Sequence, residues 1–428
     1  MNKALFDYIR ACPTPFHALS HTAKLLSDEG FRPLCESGDW KIERGGKYYV
    51  TRNLSSLIAF TVPEGDFSSF MITASHGDSP AFCIKENAEL EGAVYTRLSA
   101  ERYGSMIFSS WMDRLLGIAG RAAVRTADGI SVRLADLGGA EALIPNTAIH
   151  LNRKINDGAP YDAAVDMVPL YGITGETVPV RKKIADTLGV SEADIISTEL
   201  YLYNPQEGAE WGGMISAPRL DDLQCAFAAQ VAFRNAKADK NTMPVYCLFD
   251  NEEVGSRTKQ GAASTFLSDV LVRISDALGE REKLRRRIAS GFLVSCDNAH
   301  ALHPNRPELA DKNHTVTPNG GVVIKHNANR NYTTDAVSSA IMRELCCRAG
   351  VPVQDYANRA DMPGGSTLGN IANTQVSLNT ADIGLAQLAM HSAYEMAGAR
   401  DTEYLVRALE AFYSARLEMT ADGEYILG

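Results

Sequence analysis

What this chain lacks narrows what it can be. No stretch approaches the roughly 20 consecutive apolar residues that span a bilayer. The opening MNKALFDYIRACPTPFHAL has none of the charged, apolar, small-residue layout of a secretory leader. The expectation is a cytoplasmic protein with no membrane as partner. Basic charge is scarce too: 42 Lys and Arg against 52 Asp and Glu leave a net charge of −10. The one basic run, Arg281, Lys283, Arg285, Arg286 and Arg287, reads as a solvated helix face, so nucleic acid is not expected as a partner. The 8 cysteines form no CxxC pair and fall mostly in apolar runs, the pattern of reduced packing residues. No internal repeat is visible.

What is present is an ordinary globular balance, 45% apolar and 22% charged residues over 428 positions. That length exceeds what one core usually supports, which favours two domains or one domain carrying an insertion.

The pattern along the chain is α/β. Two short helices open it, the second over Pro15–Glu29 and stopped by Gly30. Strand-like runs follow at Trp40–Ile42 and Lys47–Arg52, with Gly45 and Gly46 turning between them, and then at Leu57–Val62, Phe70–Ala74, Val245–Phe249 and Gly291–Ser295. Helices are expected over Asp222–Ala238, Asp335–Ala349 and Thr402–Leu417. Residues 86–213 read differently, as short β-like pieces (Ala93–Leu98, Met106–Ser110, Ile130–Leu134, Thr198–Tyr203) broken by Gly, Asp and Pro. They suggest an inserted β-rich domain, leaving 1–85 and 214–428 as a discontinuous second domain. The stretch Asn152–Val168 reads as a surface loop over the site.

Ionisable residues are read as gathering where the strands end: His76, Asp78, Asp221, Asp222, Glu252, Glu253, Asp297, His300, His303 and His391. Open α/β sheets place ligand sites at the carboxyl ends of their strands. A two-metal hydrolase needs carboxylates and imidazoles, one carboxylate shared by both ions, and an unligated base beside them. Adjacent Glu252 and Glu253 on an extended segment would point to opposite sides, one free to bind metal and its neighbour to face water.

The blocks SHGDSP (75–80), PRLDDL (218–223), DNEEVGS (250–256), CDNAHALHPN (296–305) and TADIGLAQLAMHS (380–392) closely resemble the aspartyl aminopeptidases, peptidase family M18. CPTPFHAL (12–19), AIHLNR (148–153), VIKHNANRNYTTDAVS (323–338) and NRADMPGGSTLGN (358–370) extend the resemblance nearly end to end. It implies a zinc-peptidase-like mixed sheet flanked by helices and interrupted by an inserted dimerisation domain. It also implies two divalent ions per subunit, zinc first, with cobalt or manganese acceptable to such donors. In that scheme His76, Asp221 and Glu253 hold one ion, and Asp221 bridges to a second held by Asp297 and His391. Glu252 is the general base, and Asp78 orients His76.

The implied activity is removal of N-terminal Asp or Glu from peptides. Selecting an acidic residue requires a local cation, and Lys325 of VIK is the candidate, with His303 implied to lie nearby. His150 of AIHLNR is implied to reach the site of a neighbouring subunit, in dimers that build dodecamers. Asp222 stands where the family usually has Asn, Gly77 where it has Thr, and Ala360 and Gly364 depart from its pattern on the substrate side. These departures bear on specificity, so an aminopeptidase or N-acyl amino acid deacylase of the same fold with non-acidic preference is the alternative. A scaffold that has lost its metal is a further one.

Overall fold

Three segments, SFMITASH, TMPVYCLF and FLVSC, are buried at every position, and a strand covered on both faces by helices has this uninterrupted burial. They form the middle of the molecule. The structure is a computed structural model that describes residues 1–158 and 160–428.

Helices α1 (Asn2–Ala11) and α2 (Pro15–Asp28) precede strands β1 (Arg32–Leu34), β2 (Lys47–Arg52), β3 (Ser56–Thr61) and β4 (Ser69–His76). The chain then enters a separate sheet through β5 (Ala81–Glu91), β6 (Tyr95–Tyr103), β7 (Leu115–Thr126), β8 (Gly129–Asp136), β9 (Ala142–Leu143), β10 (Leu170–Ile173), helix α3 (Val180–Leu188) and β11 (Ile195–Tyr203). It returns by β12 (Ala209–Trp211), β13 (Met214–Ala217), α4 (Leu220–Asn235), β14 (Thr242–Phe249), α5 (Phe266–Ala277), α6 (Leu284–Ala289) and β15 (Phe292–Cys296). The remainder is β16 (Ala299–His300), β17 (Val322–His326), α7 (Ala336–Arg348), β18 (Val353–Ala357), α8 (Leu368–Ala372), β19 (Asn379–Gly384), β20 (Ala386–Leu388), β21 (Glu395–Gly398), α9 (Asp401–Ser414) and the hairpin β22 (Leu417–Ala421) and β23 (Glu424–Leu427).

The central sheet is nine-stranded, in the order β1-β2-β3-β14-β4-β15-β19-β17-β18. Strands β14, β4, β15 and β19 run parallel, whereas β3 and β17 join them antiparallel. It is therefore a mixed sheet. One face packs on α1, α2, α4, α7 and α9 through residues such as Leu5, Leu223, Phe292, Leu345 and Leu409. The other packs on α5, α6 and α8 through Phe60, Phe70, Phe266, Leu284 and Leu368.

The second sheet, seven-stranded, closes over a core of its own that includes Phe82, Trp111, Ile118, Ile184 and Leu202. Its strands run from Ala81 to Tyr203, and β12 pairs instead with β13 in a five-stranded sheet carrying β21. Residues 81–85 thus pair with the second sheet and 209–211 with the first body, unlike the division expected at 86 and 213.

Several local expectations change. Trp40–Ile42 is not a strand; Trp40 lies against Phe60, with the Arg273 guanidinium 4.1 Å from its ring, and its contacts are those of a side-chain lid. Met106–Ser110 is likewise no strand but leads into a single 3-10 turn over Phe108–Trp111. The last long helix ends at Ser414, because Leu417 begins a hairpin. Strand β7, unrecognised in the sequence, reads LLGIAGRAAVRT, where glycine and alanine mask the β pattern. A Cβ at Gly120 would stand 2.1 Å from the Glu199 carbonyl oxygen, so the close β7–β11 approach requires glycine there.

The basic run is not a solvated face throughout. Arg287 is 1% exposed, stacks 3.6 Å from the centre of the Phe67 ring, and bonds to Asp66 at 2.6 Å and Glu280 at 2.8 Å. The eight cysteines are all free; Cys35 and Cys347 are exposed, and Cys12, Cys225, Cys247, Cys296 and Cys346 are buried. The stretch 152–168, of which residue 159 lies outside the described residues, runs along the second sheet beside Arg97 and Met112. No helix among the described residues is long and apolar enough to cross a membrane.

Candidate metal and catalytic centre

The register of the parallel strands brings the ionisable residues together. His76 closes β4 opposite Phe249 of β14, and Ser295 of β15 lies opposite Ala74 of β4. The carboxyl ends of three neighbouring strands therefore deliver His76, the 250–253 segment and Asp297 to one place. Helix α4 presents Asp221 and Asp222 from its entry turn. Arg219 has φ +56° there, and the two aspartates lie outside helical φ and ψ. His391 comes from the loop after β20.

Two clusters result. His76, Asp221, Asp222 and Asp297 offer ligand atoms that all lie within 4.8 Å of one another, as do Asp221, Glu253 and His391. Asp221 belongs to both. Its Oδ1 is 3.6 Å from His76 Nε2 and its Oδ2 is 3.3 Å from His391 Nε2, so one oxygen faces each cluster. His391 Nε2 is also 3.3 Å from Glu253 Oε2.

The grouping corrects the one inferred from resemblance, which placed Glu253 with His76 and His391 with Asp297. Glu253 does not continue β14. Asn251 turns the chain at φ +63°, and Glu252–Val254 form a 3-10 turn that carries the Glu253 carboxylate to His391. The extended segment expected for the two glutamates is therefore absent. Asp297, on the strand next to β4, takes the place beside His76. Asp222, a candidate by its charge but left out of the ligand set the resemblance implied, is a further carboxylate in this cluster; its Oδ2 accepts from the backbone N–H of His76 at 3.3 Å.

Whether these residues suit cations is decided by the carboxylates themselves. Asp221 Oδ1, Asp222 Oδ1 and Glu253 Oε1 are buried without a hydrogen-bond partner. Buried anionic oxygens left bare are strongly unfavourable unless a cation faces them. Burial pushes Asp222 and Glu253 far above the ordinary carboxylate range, with Asp221 adding to both. Asp221 shows the opposite: burial would raise it, but contacts with His391 and His76 hold it below the ordinary value. His76 and His391, although burial disfavours their charged forms, are raised by Asp221. A mixed imidazole and carboxylate donor set with bare oxygens fits divalent ions of the zinc type.

Glu252 stands beside both groups without belonging to either, and burial first, with Asp297, Asp78 and Asp221 nearby, pushes it up to about 8. The surrounding bonds fix the candidate ligands. Asp78 accepts from His76 Nδ1 through its backbone carbonyl at 3.0 Å, so the orienting bond expected from its carboxylate is made by the main chain; Asp78 Oδ1 stands off at 3.5 Å. The carboxylate instead accepts from the backbone N–H groups of Glu252 at 3.2 Å and Glu253 at 3.1 Å. Glu395, missed in the sequence although four residues beyond His391, accepts from the amides of Asp221 at 3.0 Å and His391 at 2.7 Å.

Lys325 is 2% exposed, donates to the Asn298 carbonyl at 2.9 Å, and lies 3.5 Å from Asp297 Oδ2. Asp297 holds its ammonium charged against the desolvation that opposes it. His303 is exposed and accepts from the Asn305 N–H at 3.2 Å; it lines a cleft with His300, Arg306, Arg359 and Met390. Among the described residues no hydrogen bond joins it to Lys325. Gly364 lines the same cleft, next to the His391 loop. His150 occupies an exposed turn of the chain between β9 and β10 and belongs to neither cluster.

Comparison with known proteins gives one consistent picture. The family model described as aminopeptidase I zinc metalloprotease (M18) matches residues 8–413. A probable M18 family aminopeptidase 2 of Clostridium novyi (strain NT) is 40% identical over 96% of this chain and 98% of its own. The solved structure of the Ape4 and Nbr1 complex superposes with a TM-score of 0.91 at 33% identity, covering 96% of this chain and 84% of that one. The S. cerevisiae mApe1 dodecamer superposes with a TM-score of 0.82 at 28% identity, covering 96% and 95%.

Proposed function

This chain belongs to the aminopeptidase I zinc metalloprotease family, M18, and is an aminopeptidase of that type; from that premise we propose that it uses two divalent cations, zinc by preference, to remove N-terminal Asp or Glu from peptides. The observation that carries the two-cation reading is Asp221, whose two oxygens face two separate ligand groups. His76, Asp221 and Asp297 would hold one ion, with Asp222 alongside, and Asp221, Glu253 and His391 the other. When bound, the ions supply Lewis acidity toward the scissile carbonyl, a lowered pKa for water, and an anchor for a free α-amine.

The remaining work falls to the chain. Glu252, unligated and partly buried, takes the proton of the attacking water and returns it to the leaving amine. Asp78 and the turn after Asn251 hold that carboxylate in place. His150 of a neighbouring subunit donates a hydrogen bond to the oxyanion. The enzyme acts as a homo-oligomer, with the second sheet as its dimerisation surface. Supporting this are exposed apolar side chains there, including Val94, Ile130, Leu151 and Val165, and the dodecameric assembly of the S. cerevisiae relative.

Lys325 supplies the cation that would choose an acidic residue. One observation favours the other specificity: Lys325 is buried and already engaged by Asn298 and Asp297, so its charge is not free toward the cleft. On that reading the enzyme prefers neutral residues, and Lys325 serves Asp297.

The deciding experiment is hydrolysis of aminoacyl and N-acyl reporters by metal-stripped protein titrated with Zn²⁺, Co²⁺ or Mn²⁺. Two equivalents should restore activity, greatest on Asp and Glu. Full activity with one equivalent would refute the two-ion mechanism, and cleavage of N-acyl substrates would refute an aminopeptidase anchored by the free amine.

A further inference from the structure

The second sheet meets the catalytic turn at the end of β6. The Tyr103 hydroxyl donates to Asp78 Oδ2 at 2.7 Å and accepts from Asn251 Nδ2 at 2.9 Å. Asn251 Oδ1 in turn accepts from Thr258 Oγ1 at 2.8 Å and Gln260 Nε2 at 2.7 Å. Asp78 spends the rest of its carboxylate on the amides of Glu252 and Glu253. Among the described residues, the phenol is thus the only side chain from the second sheet in this chain of bonds. It is set against Tyr201 of β11 in an edge-to-face contact at 5.6 Å.

Gly104 completes the contact. Its φ is +73°, and a Cβ there would stand 3.1 Å from the Glu253 Cβ and 3.4 Å from the Glu253 carbonyl oxygen. The backbone of the second sheet therefore lies directly against the residue that belongs to the His391 ligand group, at a φ that favours glycine and with less room than a Cβ ordinarily has.

From this geometry we infer that Tyr103 and Gly104 are positioning residues for the reaction: through Asp78 they hold the Glu252–Glu253 turn, and they tie its geometry to the second sheet. The inference rests on the roles given above to Glu252 and Glu253. A buried network of this kind holds its members in one arrangement only when every group is partnered. Removing the hydroxyl leaves Asn251 Nδ2 without its partner and Asp78 Oδ2 with only the Glu253 amide, and the turn they brace loosens.

The test uses the full-length, metal-loaded enzyme. Tyr103→Phe keeps the ring and its contact with Tyr201, and should lower kcat about 10- to 100-fold with KM within about 2-fold, the range for groups that orient metal-site residues. Because Tyr103 acts through Asp78, the double variant with Asp78→Asn should be no slower than Asp78→Asn alone, whereas independent structural defects would multiply. Gly104→Ala tests the same turn by displacement and should lower kcat with an unchanged thermal transition of the second sheet. If Tyr103→Phe keeps wild-type kcat, or if its loss multiplies with that of Asp78→Asn, the positioning role is overturned. Glu252→Gln separates this failure from failure of the underlying reading. An inactive Glu252→Gln beside a fully active Tyr103→Phe removes only the inference, whereas an active Glu252→Gln removes the assignment on which it rests.

Discussion

The buried carboxylate of Glu395 accepts a hydrogen bond from the backbone N–H of Asp221 at 3.0 Å and, with its other oxygen, one from His391 at 2.7 Å. The residue common to both ligand clusters and the histidine of the second are thus pinned to one side chain. Glu395→Gln keeps a single carbonyl oxygen and turns an NH2 group toward one of those amides. Metal affinity measured by competition with a chelating dye should fall about 10- to 100-fold. Unchanged affinity would show that the loop is held by other contacts.

The proposed assignment gives adjacent glutamates separable tasks. Glu252→Gln should abolish turnover, by about 10²-fold or more, while retaining its metal; Glu253→Gln should lose metal from the His391 group. Metal stoichiometry beside kcat checks both. Equal metal loss in the two variants, with near-normal turnover for Glu252→Gln, would reverse the assignment.

Lys325→Met distinguishes the two specificities. If the ammonium meets the substrate, kcat/KM for Asp and Glu reporters falls about ten- to several-hundred-fold and neutral reporters change little. If it serves Asp297 alone, every substrate declines together and metal content falls. A panel of aminoacyl reporters with metal analysis reads the outcome.

His150 can be assigned by complementation. Glu252→Gln and His150→Ala chains, each inactive, should regain activity when mixed under subunit exchange. Random exchange in a twofold dimer makes about a quarter of all sites intact. No recovery after exchange has been verified by mass spectrometry would refute the shared site.

Arg287 provides a test of stability apart from the centre. It is buried against Phe67 and bonded to Asp66 and Glu280, so Arg287→Met should destabilise the chain by about 2–4 kcal/mol near neutral pH. Lys283 first, and then Arg287, hold Asp66 down to about 2 from its ordinary 3.8. A carboxyl depressed in the folded state stabilises above the unfolded value and loses that contribution as pH falls through the folded one. The difference between variant and wild type in denaturant unfolding should therefore narrow between about pH 4 and pH 2.

Much of the candidate centre was legible in the sequence because its residues follow apolar runs that can only be buried strands. His76, Asp297 and the Glu252–Glu253 pair were found by that rule, and Asp221 through the resemblance carried by PRLDDL. Glu395 and Tyr103 escaped it. One opens a short inner strand, paired on both sides, behind the histidine loop; the other ends a strand of a different sheet, about 150 residues from the Asn251 it bonds. The partners of Glu395 are backbone amides, which carry no sequence identity, and those of Tyr103 are side chains that only the fold brings to it. Strand β7 escaped because the glycines that let it approach β11 also erase its alternation.

The composition and the order of strands, helices and ionisable residues were enough to determine an α/β sheet with its acidic and imidazole groups at one edge, since burial of apolar runs and the carboxyl-end rule act on local sequence. Which ligand stands with which was decided only by the fold. The left-handed turn at Asn251 sends Glu253 to His391, and the neighbouring strand sets Asp297 beside His76. The buried place of Lys325, against Asp297 and not in an open pocket, was likewise settled by packing. Side-chain direction at such positions depends on turns and on neighbours far away in the chain, and neither is encoded at the residue itself.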